Sequence, residues 1–236
     1  MKSQPPATTS LWKDLIHVLF PDICIGCDRH PKTGKSVFCV QCLHDMPYTD
    51  HFQIKDNEVT KHLKGRVSLE FGGALLKFRE GNMVQNMLHQ LKYKKKKEIA
   101  EVLGKITGEK LLISKICLRP DIIIPVPIHP KKELKRGYNQ STLFGRSISK
   151  ETSIPISEDV LIKVLETTSQ TGKSRTDRVS NVDGVFKISN MSLITKKHIL
   201  LVDDVVTTGA TLEACCNILL DNGASKISVI CIAVAV

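Results

Sequence analysis

Three apolar runs punctuate the chain after residue 120: "DIIIPVPI" (121–128), "HILLVDD" (198–204) and "KISVICIAVAV" (226–236). Each is short, rich in β-branched residues and bounded by polar positions, the pattern of strands buried on both faces. Between and before them the apolar spacing widens to the helical period. In "NMVQNMLHQLKYKKKKEIAEVLGKITGEKLL" (82–112), Met83, Val84, Met87, Leu88 and Leu91 share one face, and Ile99, Val102, Leu103 and Ile106 share another. The lysines at 94–97 interrupt the two. "NQSTLFGRSISK" (139–150) reads as a further helix after a basic loop, and "GATLEACCNILLDNG" (209–223) as one closed by Asn222 and Gly223. Strands alternating with helices predict an α/β fold, a parallel sheet flanked by helices. "TSQTGKSRTDRVSNV" (168–182) is a long loop with many turn formers. No internal repeat is visible.

The first 50 residues break this pattern. They hold an amphipathic stretch, "LWKDLIHVLF" (11–20), followed by four closely spaced cysteines. Residues 51–70 are polar, lack a helical period and read as a connector, with strand character beginning near Phe71. The expected division is therefore an N-terminal helix and four-cysteine module over 1–50, a connector over 51–70 and an α/β domain over 71–236. A length of 236 residues suits one ordinary domain plus a small attachment.

Composition adds little to the fold and something to the partners. Hydrophobic residues make up 42% and charged residues 25%, the balance of a soluble globular chain. The net charge of +10 favours polyanionic or phosphorylated partners, although a basic solvated surface would give the same sum. No stretch approaches the roughly 18 uninterrupted apolar residues of a membrane span, and "MKSQPPATTS" lacks the apolar core of a secretory signal. The expectation is a cytoplasmic protein with reduced thiols.

Cys24, Cys27, Cys39 and Cys42 form two CxxC pairs separated by eleven residues. Each pair can place two thiolates on one tight turn, and two such turns complete a tetrahedron around zinc. Four thiolates leave no open coordination position, so the zinc would be structural. The competing readings are disulfides, disfavoured in a reducing compartment, and a redox CxxC, which occurs singly beside a βαβ pattern. His30 and His44 lie nearby and are read as surface residues. Cys117, Cys215, Cys216 and Cys231 sit in apolar contexts and read as small buried hydrophobes.

Asp203 and Asp204 close the second apolar run side by side, where neighbouring carboxylates repel each other. In a parallel sheet, ligands bind beyond the carboxyl ends of the strands. "TTGAT" then opens a helix, whose free N–H groups and positive end suit a phosphate, with Gly209 permitting close approach. Carboxylates next to phosphate donors fit a ligand with vicinal hydroxyls and a phosphate, a ribose 5-phosphate. The carboxylates would accept from the hydroxyls or hold Mg²⁺ already bound to pyrophosphate. The plainer reading is a capped helix after a buried strand, with solvated acids.

At this point "HILLVDDVVTTGATL" resembles the phosphoribosyl-pyrophosphate loop of type I phosphoribosyltransferases. "DIIIPVPIHPKKELKRGYNQ", "TSQTGKSRTDRVSNVDGVF", "LHQLKYKKKKEIAEVLG" and the four-cysteine head "FPDICIGC…CVQC" are similar to the ComF family, which includes GntX-type relatives. That family joins a zinc ribbon to a type I phosphoribosyltransferase fold and is linked to DNA uptake in natural transformation. The match is weakest between Tyr48 and Phe71.

The resemblance implies that Asp203 and Asp204 meet the ribose hydroxyls, and that Thr207, Thr208, Gly209, Ala210 and Thr211 wrap the 5-phosphate. It places Lys131, Lys132, Lys135 and Arg136 near pyrophosphate, and makes "SQTGKSRTDR" the loop that covers the site in catalytic relatives. The implied cofactors are structural zinc and Mg²⁺ with phosphoribosyl pyrophosphate. Two departures stand out. Lys163 and Leu165 occupy a segment where the family usually carries arginines, which lysine's single ammonium cannot replace in a bidentate contact. Asp28 follows the second cysteine, where glycine is common.

No segment reads as a nucleobase pocket, so the sequence supports two functions. As a binder, the protein would take phosphoribosyl pyrophosphate and handle single-stranded DNA beside DNA-uptake or recombination proteins. Lys94, Lys95, Lys96 and Lys97, together with Lys131–Arg136, would track the DNA backbone while Tyr93 and Tyr138 stack on bases. Against this, each lysine run can be no more than a solvated helix face. As an enzyme, it would transfer ribose 5-phosphate to an unknown acceptor. "TTSQTGKS" is not a Walker loop, since Thr167 stands at its first glycine.

Overall fold

A computed structural model describes residues 22–32, 34, 36–117, 119–164 and 185–236. The chain divides into two compact units, Met1–Met46 and Pro47–Val236. The helix expected over 11–20 and the loop expected over 168–182 lie outside the described residues.

The larger unit is built on a four-stranded parallel sheet. Its strands are β1 (Phe71–Phe78), β2 (Ile122–Pro125), β5 (His198–Val206) and β6 (Lys226–Ala235), in the order β1-β6-β5-β2. Ile199, Leu200, Leu201 and Val202 of β5 are all fully buried, as a strand flanked on both sides and covered on both faces requires. Leu201 pairs with Ile124 on one side and Val229 on the other. Both sheet edges are covered. Tyr48 bridges antiparallel to Leu76 of β1, and Ile156 bridges parallel to Ile123 of β2. A small antiparallel pair, β3 (Leu161–Lys163) and β4 (Phe186–Ile188), stands apart from the main sheet.

The smaller unit contains a one-turn helix, α1 (Val40–His44), and an antiparallel bridge between Ile23 and Pro31. In the larger unit the region read as a connector holds a helix, α2 (Glu58–Leu63). Asn57 caps it by accepting from the N–H groups of Val59 and Thr60, while Thr60 Oγ1 accepts from the Asn57 N–H. The Asn57 amide also donates to the Gly72 carbonyl of β1 at 2.8 Å. Six residues carry only two apolar positions on the buried face, Val59 and Leu63, too few to register as a period. Cap and packing hold this helix, not propensity.

Helices α3 (Met83–Tyr93) and α4 (Glu98–Ile113) follow β1 and are separated by the lysine turn, as expected. Val84, Met87, Leu88 and Leu91 are buried. On α4 the buried face is not the expected one. Ile99 and Leu103 are buried, but Val102 and Ile106 are only half-buried, and the stripe runs instead through Ala100, Gly104, Thr107 and Gly108. The reason is the approach of α6 (Gln140–Thr152), which follows the short helix α5 (Pro130–Arg136). A Cβ on Gly104 would lie 2.5 Å from Ser147 Cβ and 2.8 Å from the Phe144 carbonyl oxygen, and one on Gly108 would lie 2.6 Å from Glu151 Cβ. Small residues, not large apolar ones, set the distance between these helices. The last helix, α7 (Ala210–Asp221), joins β5 to β6.

Gly104→Ala tests this packing. Helix propensity alone would favour alanine by about 1 kcal/mol. The contact with the Phe144 carbonyl forces α4 and α6 apart, and overpacking of this kind costs about 1–3 kcal/mol. Denaturant unfolding is expected to show a net loss; a gain in stability would mean that the helices separate freely.

Candidate functional site

The Cys24, Cys27, Cys39 and Cys42 sulfurs all lie within 4.8 Å of one another, and all four cysteines are free of disulfides. Tetrahedral Zn–S bonds of about 2.3 Å set sulfurs about 3.8 Å apart, and Cys27 Sγ lies 4.0 Å from Cys39 Sγ. Backbone N–H groups already point at the sulfurs. Those of Gly26 and Cys39 donate to Cys24 at 3.3 and 3.2 Å, and that of Cys42 donates to Cys39 at 3.4 Å. Backbone N–H groups of His30 and Arg29 hold the Cys27 thiol down at about 6, whereas burial and the surrounding thiols push Cys42 upward. The donor set fits a metal such as zinc: four soft ligands with N–H groups directed at sulfur. Asp28 has a φ of +52°, and its N–H donates to the Cys24 carbonyl. The position is left-handed, which accounts for the glycine common there; aspartate tolerates it better than most residues. His30 and His44 are exposed.

The second constellation lies at the carboxyl end of the parallel sheet. Asp203 and Asp204 do not end β5, because the strand runs on to Val206. Successive side chains of a strand face opposite sides. Of the two residues before them, Leu201 joins the core that includes Cys215 of α7, and Val202 packs toward Gly145 of α6. Each carboxylate has its own partner. Asp203 Oδ1 accepts from Ser141 Oγ at 2.9 Å and from the Asp204 N–H at 2.8 Å. Lys92 Nζ, from the last turn of α3, sits 2.8 Å from Asp204 Oδ2. Burial, then the charge of Asp204, push the Asp203 carboxyl up to about 7, against the opposing pull of the Asp204 N–H, Ser141 and Lys92. Ser141 is held in turn by Asn139, which accepts from its N–H at 3.0 Å and donates to the Val126 carbonyl beyond β2 at 2.9 Å.

Lys163, on β3, belongs to the same neighbourhood. Burial and the nearby Lys132 lower its affinity for a proton, while Cys215 and Asp203 oppose this. Its ammonium lies 5.3 Å from the centre of the Phe186 ring. The segment with Lys in place of the family's arginine thus does bring a cation toward Asp203; Leu165 lies outside the described residues.

Thr207 and Thr208 are exposed between β5 and α7. Gly209, with φ +78°, is the N-cap of α7, and no side chain caps the helix. The Ala210 N–H makes a long contact, 3.5 Å, with Thr208 Oγ1, and a helix N-terminus of this kind suits an anion. A Cβ at Gly209 would meet Leu63 Cδ2 at 3.1 Å. Arg66 braces the loop: one guanidinium nitrogen donates to the Thr208 carbonyl at 2.9 Å and to the His62 carbonyl, the other pairs with Glu213 at 2.7 Å. The sequence offered no signal for Arg66, since it falls in the polar connector. Lys92 was visible only as part of a lysine-rich string, and Ser141 only as part of "GYNQS".

Lys94, Lys95, Lys96 and Lys97 are all exposed, but they form the turn between α3 and α4 and not a helix face. Lys131, Lys132, Lys135 and Arg136 lie on α5, directly after the carboxyl end of β2. Tyr138 is buried; its hydroxyl donates to the Leu91 carbonyl and its ring faces Lys97 Nζ at 5.0 Å. Stacking of Tyr138 on bases is therefore ruled out by its burial. Tyr93 is 61% exposed, with the Arg136 guanidinium 5.4 Å from its ring centre.

A phosphoribosyl transferase domain family matches residues 139–235, which span α6, β5, the threonine loop and β6. This part of the chain is a domain of the type I phosphoribosyltransferase fold. DNA utilization protein YhgH of Escherichia coli (strain K12) is 30% identical over 149 residues, covering 62% of this chain and 65% of that protein. Competence protein F of Haemophilus influenzae is 34% identical over 111 residues, 47% of this chain and 48% of the relative. Competence protein ComFC of Bacillus subtilis (strain 168) is 27% identical over 217 residues, 90% of this chain and 84% of the relative. The competence-protein and YhgH relatives, together with the phosphoribosyl transferase domain, support the ComF family for this chain, which spans about 65% of the length of the YhgH proteins it matches. Among solved structures, adenine phosphoribosyltransferase from Leishmania tarentolae is 14% identical, covering 61% of this chain and 74% of that one, with a TM-score of 0.39. No described helix is long and apolar enough to cross a membrane.

Protein purified without chelator is expected to carry one zinc per chain, measured by elemental analysis. Cys24→Ser is expected to lose the metal and loosen the N-terminal unit, because a structural metal supplies folding free energy. Full zinc occupancy in that variant would remove Cys24 from the ligand set.

Proposed function

We propose that the protein binds phosphoribosyl pyrophosphate with Mg²⁺ at the carboxyl end of β5, and handles single-stranded DNA on the adjoining basic surface. In this reading Asp203 and Asp204 receive the ribose 2- and 3-hydroxyls, and the N-terminus of α7 with Thr207, Thr208 and Thr211 receives the 5-phosphate. Lys132 and Lys163 approach the pyrophosphate. Zinc on the four cysteines is structural. The setting is the cytoplasm, in company with DNA-uptake or recombination proteins. The observation that carries the reading is the adjacency of a carboxylate pair to a glycine-led helix N-terminus on one β5–α7 connection. The names of the competence relatives support the DNA role. The match to a phosphoribosyl transferase domain favours a second reading, true transfer of ribose 5-phosphate to an acceptor; release of pyrophosphate across a panel of bases and amines separates the two.

Phosphoribosyl pyrophosphate with Mg²⁺ is expected to stabilise the fold by about 2.7 kcal/mol at a hundred times its dissociation constant. The Asp203→Asn, Asp204→Asn double variant is expected to fold and to lose this gain. Thermal unfolding of both proteins, with and without ligand, provides the check, and an equal gain in both would take the aspartates out of the site.

Single-stranded DNA affinity is expected to fall with salt, with a log–log slope of about 0.7 for each phosphate contacted. Replacing Lys94–Lys97 by glutamine is expected to weaken binding and flatten the slope. Fluorescence anisotropy giving identical slopes for the two proteins would leave the lysine turn a solvated feature.

A further inference from the structure

The ion pair between Lys92 and Asp204 is not a surface contact. The two side chains are 21% and 15% exposed, and Nζ and Oδ2 are 2.8 Å apart. Such a pair is screened far less than an exposed one. Lys92 is also presented from a braced position. The carbonyl of the preceding Leu91 accepts the Tyr138 hydroxyl, and the ring of the following Tyr93 lies against Arg136, which in turn donates to Gln140 Oε1 at 2.9 Å. The backbone on either side of Lys92 is thereby held at the end of α3, from which the ammonium reaches Asp204.

The other atoms of the pair fit this arrangement. Asp203 Oδ1 is taken by Ser141 and a backbone N–H, and Asp204 Oδ2 by Lys92. Among the described residues, Asp203 Oδ2 and Asp204 Oδ1 accept no hydrogen bond. One oxygen on each carboxylate thus remains for a neutral donor, matching two vicinal hydroxyls. Direct coordination of a divalent ion by Asp204 would instead bring a second cation against an ammonium already in hydrogen-bond contact. Mg²⁺ also gives up its own waters reluctantly.

We infer that Lys92 is the built-in counter-cation of the aspartate pair, so that the site takes a ribose 5-phosphate monoester without a divalent metal. This rests on the reading of Asp203 and Asp204 as acceptors for ribose hydroxyls. Any Mg²⁺ at the site then serves a pyrophosphate on the ligand and is not required by the protein. Lys92 acts as a positioning residue: it orients Asp204 and balances its charge.

Isothermal titration of the full chain with ribose 5-phosphate, in EDTA and in Mg²⁺, tests this. Wild type is expected to bind with the same affinity in both buffers. Lys92→Gln leaves Asp204 without its charged partner and is expected to lose about tenfold or more in EDTA, the scale of a charged hydrogen bond. Part of that loss should return with Mg²⁺, which a merely structural role for Lys92 would not produce. Lys92→Arg should retain metal-free binding. Wild-type binding of ribose 5-phosphate that requires Mg²⁺ would overturn the inference while leaving the site intact, and this arm needs no variant to fold. Lys92→Gln binding as wild type does in EDTA would overturn it as well. Failure of wild type to bind either ribose 5-phosphate or phosphoribosyl pyrophosphate, in either buffer, would overturn the site reading and this inference with it.

Discussion

Two adjacent carboxylates must be kept inside the end of a buried parallel strand, and much of the larger unit answers to that constraint. The charge of Asp204 still pushes the Asp203 carboxyl up, so each acid needs a partner of its own. Different helices then serve each one. Ser141 comes from the first turn of α6, and that turn is tied to the end of β2 through Asn139. Lys92 comes from the last turn of α3. The positions of both donors depend on how closely the helices pack. Glycines at 104 and 108 let α4 lie against α6 at backbone distance. A larger residue at either position would displace α6, and with it the hydroxyl that Asp203 needs. Helix packing far from the site thus reaches the site geometry through a short chain of direct contacts.

The strands were legible because burial on both faces writes an unmistakable apolar run, and three of the four strands of the sheet are such runs. β1 was harder: its Gly72 and Gly73 dilute the pattern, so only its start near Phe71 was visible. Helix α2 was hidden because capping and packing hold it, and neither leaves a period. The face of α4 was misread for a related reason. Hydrophobic spacing finds large apolar residues, whereas this interface is made by small ones, and Val102 and Ile106 were left at its margin. For the site, the motif reported the acids and the phosphate loop because these are contiguous. Arg66 lies 142 residues from Thr208 in sequence, and Lys92 lies over a hundred from Asp204. Only tertiary structure brings such pairs together. The cysteine spacing was legible because a metal knuckle is local.

The two tyrosines show how the same residues read differently once buried. Tyr138 spends its ring on Lys97 and its hydroxyl on Leu91, joining the lysine turn to the segment between α5 and α6. Tyr93 performs a parallel role with Arg136 but remains exposed. These contacts gather the charges of Lys94–Lys97 and α5 beside one another, and they use up most of the aromatic surface in doing so. A polyanion on this surface would meet many cations and a single exposed ring. Its binding energy would then come mainly from counterion release, with little stacking among the described residues. On the proposed function, such a surface would hold a strand without reading its sequence. In the same proposal, selective recognition would fall to the paired aspartates and the threonine loop, where hydroxyls and a phosphate at fixed spacing would be told from other anions.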